Sequence, residues 1–235
     1  MIVHTGAKQA MKLYDIVFSP FSARVRIVIR LKQLAIDIVP PPLALKSAEF
    51  KAHHPLGKIP ILELDDGSCI AESWVIMEYL EDIFATLPLR PAGACACAHM
   101  RVKGRVADLF VGPALFPLFG ELSSPGAGDA DKTETAVKVQ RQLVATEAEV
   151  VKLGRVLDEA TPLGERPLDL GDIALVTTLY YVDAIPPLFG AVSPIAQNES
   201  VSHWWDTIGK IPVVNQTLTE INGGFRGFLK QIGRN

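Results

Sequence analysis

The chain has 235 residues with a formal net charge of −3; 49% are hydrophobic and 21% charged. This balance suits a folded, soluble protein of one or two domains, and it gives no electrostatic reason to expect nucleic acid or an anionic membrane as partner. No apolar run approaches the ~20 residues that cross a bilayer, the first residues lack the basic-then-apolar pattern of a secretory leader, and three cysteines (Cys69, Cys95, Cys97) cannot all pair, so the cytoplasm is the expected compartment.

Residues 1–11 are weakly patterned and read as a loose extension. Lys12 to Phe18 reads as a first strand, with Leu13, Ile16, Val17 and Phe18 supplying β-propensity. Ser19-Pro20-Phe21-Ser22 breaks it, and Arg24 to Leu34 is periodic for a helix. Ile36 to Pro40 is a second strand. A short helical piece falls around Ser47 to Ala52. Ile61 to Leu64, the turn Asp65-Asp66-Gly67-Ser68, and Cys69 to Ala71 form a β-hairpin. Ser73 to Phe84 is a helix with Ile76, Leu80, Ile83 and Phe84 on one face.

The order β-α-β-α-β-β-α is the thioredoxin-like arrangement. It fills residues 11–87. A Pro, Gly and Ala-rich stretch over 88–98 reads as an interdomain linker. Residues 99–235 read as helix only. Arg101 to Gly120 is expected to bend at Gly112-Pro113, and Ser123 to Asp131 is a polar loop. Lys132 to Glu159, Ile173 to Val182, Ser202 to Ile208 and Val213 to Leu218 are the further helices. The predicted fold class is therefore an α/β thioredoxin-like N-terminal domain followed by an all-α C-terminal domain.

Two short segments point to a ligand. In Gly57-Lys58-Ile59-Pro60, a proline opens a strand, where a cis peptide bond would form a tight turn. Such a turn would free the backbone of Ile59 to pair with a bound peptide. Glu72-Ser73 lies about a dozen residues on, at a helix start, where free N–H groups suit a carboxylate. Together they suggest a site for a small peptide-like molecule.

The strand end Ser19-Pro20-Phe21-Ser22 with Arg24-Val25-Arg26-Ile27, the Gly57–Pro60 segment, Glu72-Ser73 with Tyr79-Leu80, and Asp169 to Asp172 with Trp204-Trp205 and Pro212 together resemble the cytosolic glutathione transferases. The resemblance runs from about Met11 to Leu229. The first segment looks most like the serine-type tau and zeta classes; the omega class has a similar segment with cysteine in place of Ser19. The zeta motif normally has a cysteine two residues after the serine, where this chain has Phe21.

That resemblance implies glutathione as substrate or cofactor, no metal, a hydrophobic electrophile as second substrate, a homodimer, and a role in detoxification. It assigns Ser19 to stabilising the glutathione thiolate, with Ser22 in the same turn as the alternative. Phe21, Lys46, Lys58, Ile59, Pro60, Glu72 and Ser73 become the glutathione-binding candidates: Ile59 by its backbone, Lys46 or Lys58 at the glycyl carboxylate, Glu72 and Ser73 at the γ-glutamyl end. Phe110, Phe116 and Phe119 are candidates to line the electrophile pocket. Neither Ser19 nor Ser22 is a cysteine, which argues against disulfide exchange at that helix start. Asp169 and Asp172 read as a structural capping box. Cys95, Cys97 and His99 fall short of the four closed ligands of a zinc site, and His53 and His54 have no suitably spaced partners. The resemblance implies an enzyme that conjugates the glutathione thiolate to that electrophile, with zeta-like isomerisation, aromatic ether cleavage and a non-catalytic glutathione-binding module as the alternatives.

Overall fold

Four short strands form one mixed sheet: β1 (Lys12–Tyr14), β2 (Asp37–Val39), β3 (Ile61–Glu63) and β4 (Cys69–Ala71), in the order β2-β1-β3-β4. β1 runs parallel to β2 and antiparallel to β3, and β3 is antiparallel to β4. The computed structural model describes residues 11–122 and 129–234, and for 53 and 129–132 the backbone alone. Within these residues the chain divides into two units. One comprises the chain up to Pro88 together with Thr219–Gly224; the other comprises Leu89–Leu218 and the residues from Phe225 on.

Period-two alternation sorts the side chains of the sheet. Leu13 stands opposite Leu62 in the ladder, and both are fully buried. Tyr14 and Ile61, one residue along, point to the other face, where Phe50 covers them together with Val39, Ile59 and Cys69. Phe50 comes from α2 (Ala48–His53), which Ser47 caps through its side chain. Helix α1 (Pro20–Leu31) packs on α3 (Ser73–Ile83), burying Val25, Val28, Ile76 and Leu80.

β1 is shorter than the apolar pattern of residues 12–18 predicts. After Tyr14 the chain turns, with the Ser19 N–H donating to the Ile16 carbonyl at 2.8 Å. α1 begins at Pro20 rather than Arg24, because the Ser19 side chain caps it and Pro20 fits the first helical turn. The extension expected over residues 1–11 lies outside the described residues except for Met11, which is a core residue at 2% exposure.

In the second unit, α4 (Ala94–Val106) starts inside the stretch read as a linker over 88–98. The alanines that made that stretch look unstructured are the best helix formers. A π-helical segment, Ala107–Val111, leads directly into α5 (Gly112–Leu115), followed by α6 (Pro117–Leu122), so the irregularity lies just before Gly112-Pro113. Helix α7 spans Asp129–Asp158 and takes in the last residues of the loop expected over 123–131; the rest of that loop lies outside the described residues. α8 (Leu170–Ala184) is buried on nearly every side, as a central core helix must be. A β-carbon added at Gly171 would come within 2.1 Å of the Met100 carbonyl oxygen, so glycine is what lets α8 lie against α4. α9 (Glu199–Gly209) and α10 (Pro212–Gln231) complete the chain.

Asp169 and Asp172 form the capping box read from the sequence, each accepting from the other's backbone N–H. They also hold buried Lys103, whose Nζ donates to Asp169 at 2.8 Å and Asp172 at 2.5 Å, and Arg166, which donates to both carboxylates. Burial opposes ionisation of both acids. At Asp172 the Arg166 hydrogen bond and the two nearby cations outweigh it and hold the carboxyl below its ordinary range.

Tyr14 generates a test of the sheet. Its hydroxyl donates to Glu63 Oε2 at 2.5 Å, and that bond, with burial and the Glu63 charge, pushes its pKa up from 10 to about 12. Between these values the folded protein keeps a proton that the unfolded chain gives up. The contribution is therefore complete below pH 10 and lost as pH rises through 12. Tyr14→Phe should make the alkaline fall in denaturant midpoint shallower, leaving the part due to Tyr180, whose pKa burial also pushes to about 12. An unchanged slope would show that Glu63 does not hold the Tyr14 proton.

Candidate functional site

The hairpin register brings the two sequence motifs together. Ile61 pairs with Ala71, so Pro60 and Glu72, each one residue outside the ladder, come side by side. The Ile59–Pro60 peptide bond is cis. Around this point lies a small cleft of about 90 Å³ in the first unit, lined by Phe21, Lys58, Ile59, Pro60, Glu72 and Ser73, with Leu56 and Ala71. Six of the sequence-predicted residues therefore share one cleft. Leu56 and Ala71 were not among the predicted site residues; they adjoin Gly57 and Glu72 of the two motifs.

The cleft ends on the N-terminus of α3. Glu72 precedes the helix with φ 70° and ψ 113°, and its side chain makes no capping hydrogen bond. A non-glycine residue in that region carries strain of roughly 1–3 kcal/mol, and such strain gathers at ligand clamps. The first N–H groups of a helix have no partner within it, and its dipole favours negative charge there. Ser73, the first helical residue, is 4% exposed.

Behind Ser73 stands Arg24, which the sequence reading placed only as part of a motif. Its side chain is fully buried, its Nη1 donates to Ser73 Oγ at 3.3 Å, and its guanidinium lies 4.9 Å from the centre of the Phe21 ring. A buried cation directly behind the helix start adds positive potential where the dipole already supplies some. The spacing of Phe21 and Arg24 at i and i+3 on α1 is what puts both on the cleft side.

Ser19 sits at the start of the same helix. Its Oγ accepts from the Ser22 N–H at 3.2 Å, which leaves its hydroxyl proton available to a further acceptor. Ser22 is fully buried, and its Oγ has no hydrogen-bond partner among the described residues. Both serines are buried, Ser19 at 9% exposure and Ser22 fully, and neither is among the residues that line the cleft; Ser19 caps the helix, whereas Ser22 Oγ makes no hydrogen bond among the described residues.

Lys58 is exposed and lines the cleft. Lys46, also exposed, is not among the lining residues; its N–H donates to the Gly57 carbonyl at 3.3 Å. Gly57 has φ +58°, a backbone conformation that favours glycine, and a β-carbon there would sit 3.0 Å from Lys51 Cγ, which a flexible lysine can relieve. Phe110, Phe116 and Phe119 belong to the second unit. Phe110 is 50% exposed, whereas Phe119 packs against Tyr181 and Phe225 with ring centres 5.0 and 5.7 Å away. Among the described residues no group of three or more histidines, cysteines or acids could hold a metal ion.

Residues 13–88 match the family model described as glutathione S-transferase, N-terminal domain. The chain spans about half the length of the maize protein glutathione transferase GST 23, with 33% identity over 48% of this chain and 51% of that one. It is 31% identical to maize glutathione S-transferase 3 over 90% of this chain and 94% of the relative. Among solved structures, a glutathione S-transferase from Methylobacillus flagellatus KT with GSH bound superposes with a TM-score of 0.71 at 25% identity, covering 88% of this chain and 98% of that one. The thioredoxin-like half with its mixed sheet, the helical half and the full-length match to the maize relative agree: this chain belongs to the glutathione S-transferase family.

Proposed function

We propose that this protein conjugates glutathione, as its thiolate, to a hydrophobic electrophile. The observation that carries the reading is the cleft at the hairpin register, where the Ile59–Pro60 turn meets an uncapped helix start backed by buried Arg24. Supporting it, the Methylobacillus flagellatus relative has GSH bound, and glutathione carries a carboxylate at each end. In this reading the γ-glutamyl carboxylate meets the N–H groups and hydroxyl of Ser73, with Glu72 near the amine. The backbone of Ile59 pairs with the cysteinyl residue. Lys58 faces the glycyl carboxylate, with Lys46 nearby across Gly57.

Ser19 supplies the chemistry. An ordinary thiol has pKa about 8.5, and lowering it by ~2 units takes ~2.7 kcal/mol of preference for the anion. A hydrogen bond to a charged group contributes ~1.5–3 kcal/mol, and the α1 N-terminus adds to it. Ser19 caps that helix start with its hydroxyl proton unused and is 9% exposed against 0% for Ser22, which supports Ser19 over Ser22 as the thiolate-stabilising residue. The three cysteines lie elsewhere, on β4 and α4, so no protein thiol stands at the position used for disulfide exchange. This makes the chain a serine-type member, with a first segment closest to the tau and zeta classes. The second unit supplies the electrophile site, with half-exposed Phe110 and the neighbouring pair Phe116 and Phe119 as its candidate lining. A homodimer in the cytoplasm with a role in detoxification completes the reading.

Two outcomes follow. Ser19→Ala should reduce conjugation by ~10²–10³ with a much smaller effect on glutathione affinity, because the interaction is with the anion alone. If Ser22→Ala gives the larger loss, the two roles are exchanged. Ser73→Ala should weaken glutathione binding by ~1–3 kcal/mol in calorimetric titration while the backbone donors persist. Unchanged affinity in a folded variant would move the γ-glutamyl site elsewhere.

A further inference from the structure

The segment that delivers Ser19 lies outside the sheet and is gripped from two sides. Beyond Tyr14 the Asp15 N–H still donates to the Val39 carbonyl, and the chain then leaves the sheet. Val17 is 43% exposed, so apolar burial does not fix it. What grips the segment on one side is Arg26 of α1, itself 2% exposed. Its Nη1 donates to both Asp15 oxygens at 2.8 and 2.6 Å, and its Nη2 donates to the Val17 carbonyl at 2.7 Å.

The other side is closed by a single turn of α10, the stretch Thr219–Gly224 that belongs to the first unit. Glu220 accepts from Arg30 Nη2 at 2.8 and 2.9 Å and lies 3.7 Å from Arg26 Nε. One turn further, Gly224 faces the segment itself. A β-carbon there would come within 2.5 Å of Val17 Cγ1, 3.2 Å of Phe18 Cβ and 3.4 Å of the Phe18 backbone nitrogen. The Val17 side chain can rotate away. Phe18 can yield only by moving backbone, and the next residue is Ser19.

We propose that Arg26, Glu220 and Gly224 are positioning residues for the Ser19 hydroxyl: the loop 15–18 is clamped between α1 and one turn of α10, and this clamp sets where Ser19 donates. The proposal rests on the reading of Ser19 as thiolate stabiliser. It extends the residues that set the site to Thr219–Gly224, far along the chain: Arg30 and Glu220 are separated by 190 positions.

The test compares wild type with Gly224→Ala, Glu220→Gln and Ser19→Ala, reading the apparent pKa of the bound glutathione thiol from thiolate absorbance, with glutathione affinity by calorimetry and thermal midpoint alongside. Alanine is a better helix former than glycine, so a glycine with no positional role would yield an unchanged thiol and a higher midpoint. The expected result is an upward shift of about half a unit to one unit in Gly224→Ala, with affinity changed by less than about threefold. Glu220→Gln keeps the shape and removes the charge, and should shift the thiol in the same direction by less. If Ser19→Ala raises the thiol pKa and neither α10 variant does, the clamp is overturned while the thiolate role stands. If Ser19→Ala itself leaves the thiol unchanged, the thiolate role falls and the clamp with it.

Discussion

The site depends on one register. With Ile61 opposite Ala71, Pro60 and Glu72 become neighbours, and a turn and a helix start that are separate in sequence face one cleft. A slip by one residue would send every side chain of β4 to the other face and carry Glu72 away from the turn. The hairpin loop guards against that slip. Gly67 adopts φ +80°, Asp66 Oδ1 accepts from the Ser68 N–H at 2.9 Å and its hydroxyl at 2.6 Å, and the Leu64 N–H donates to the Ser68 carbonyl at 2.8 Å. Local turn chemistry thus sets a long-range juxtaposition.

α1 carries the second constraint. It buries two arginines, Arg24 and Arg26, and Ser22 in a helix whose other inward residues are apolar. Buried cations are costly unless paired. Arg24 meets Ser73 and the Phe21 ring; Arg26 meets Asp15, the Val17 carbonyl and the edge of Glu220. Both sets of partners belong to the segments that build the cleft or deliver Ser19. The helix therefore directs its buried charge to the segments around the site, and packs its apolar residues against α3.

Much of this was legible in the sequence because it rests on local rules. The turn at Ile59-Pro60, the hairpin at Asp65–Ser68, the Asp169 cap and the helix at Ser73 are each read from a few adjacent residues. The fold class follows from their order. What was not legible depends on distant partners. Nothing local marks Arg24 or Arg26 as buried, since an arginine on an amphipathic helix is usually solvated. The end of β1 at Tyr14 is set by Asp15 turning to Arg26 rather than by any loss of β-propensity in Ile16, Val17 and Phe18. Gly224 reads as a helix weakness until the Val17–Phe18 backbone is placed against it. The helix that starts at Ala94 was hidden by a composition that suits linkers and helices equally.

The central claim is that the cleft of the first unit holds glutathione with its sulfur at Ser19. A crystal structure of the protein with glutathione addresses it directly. The account predicts the γ-glutamyl carboxylate at the Ser73 N–H and hydroxyl, the cysteinyl backbone paired with Ile59, and the sulfur within hydrogen-bonding distance of Ser19 Oγ. A glutathione molecule bound away from the Pro60–Glu72 junction, or one whose sulfur points away from Ser19, would contradict it.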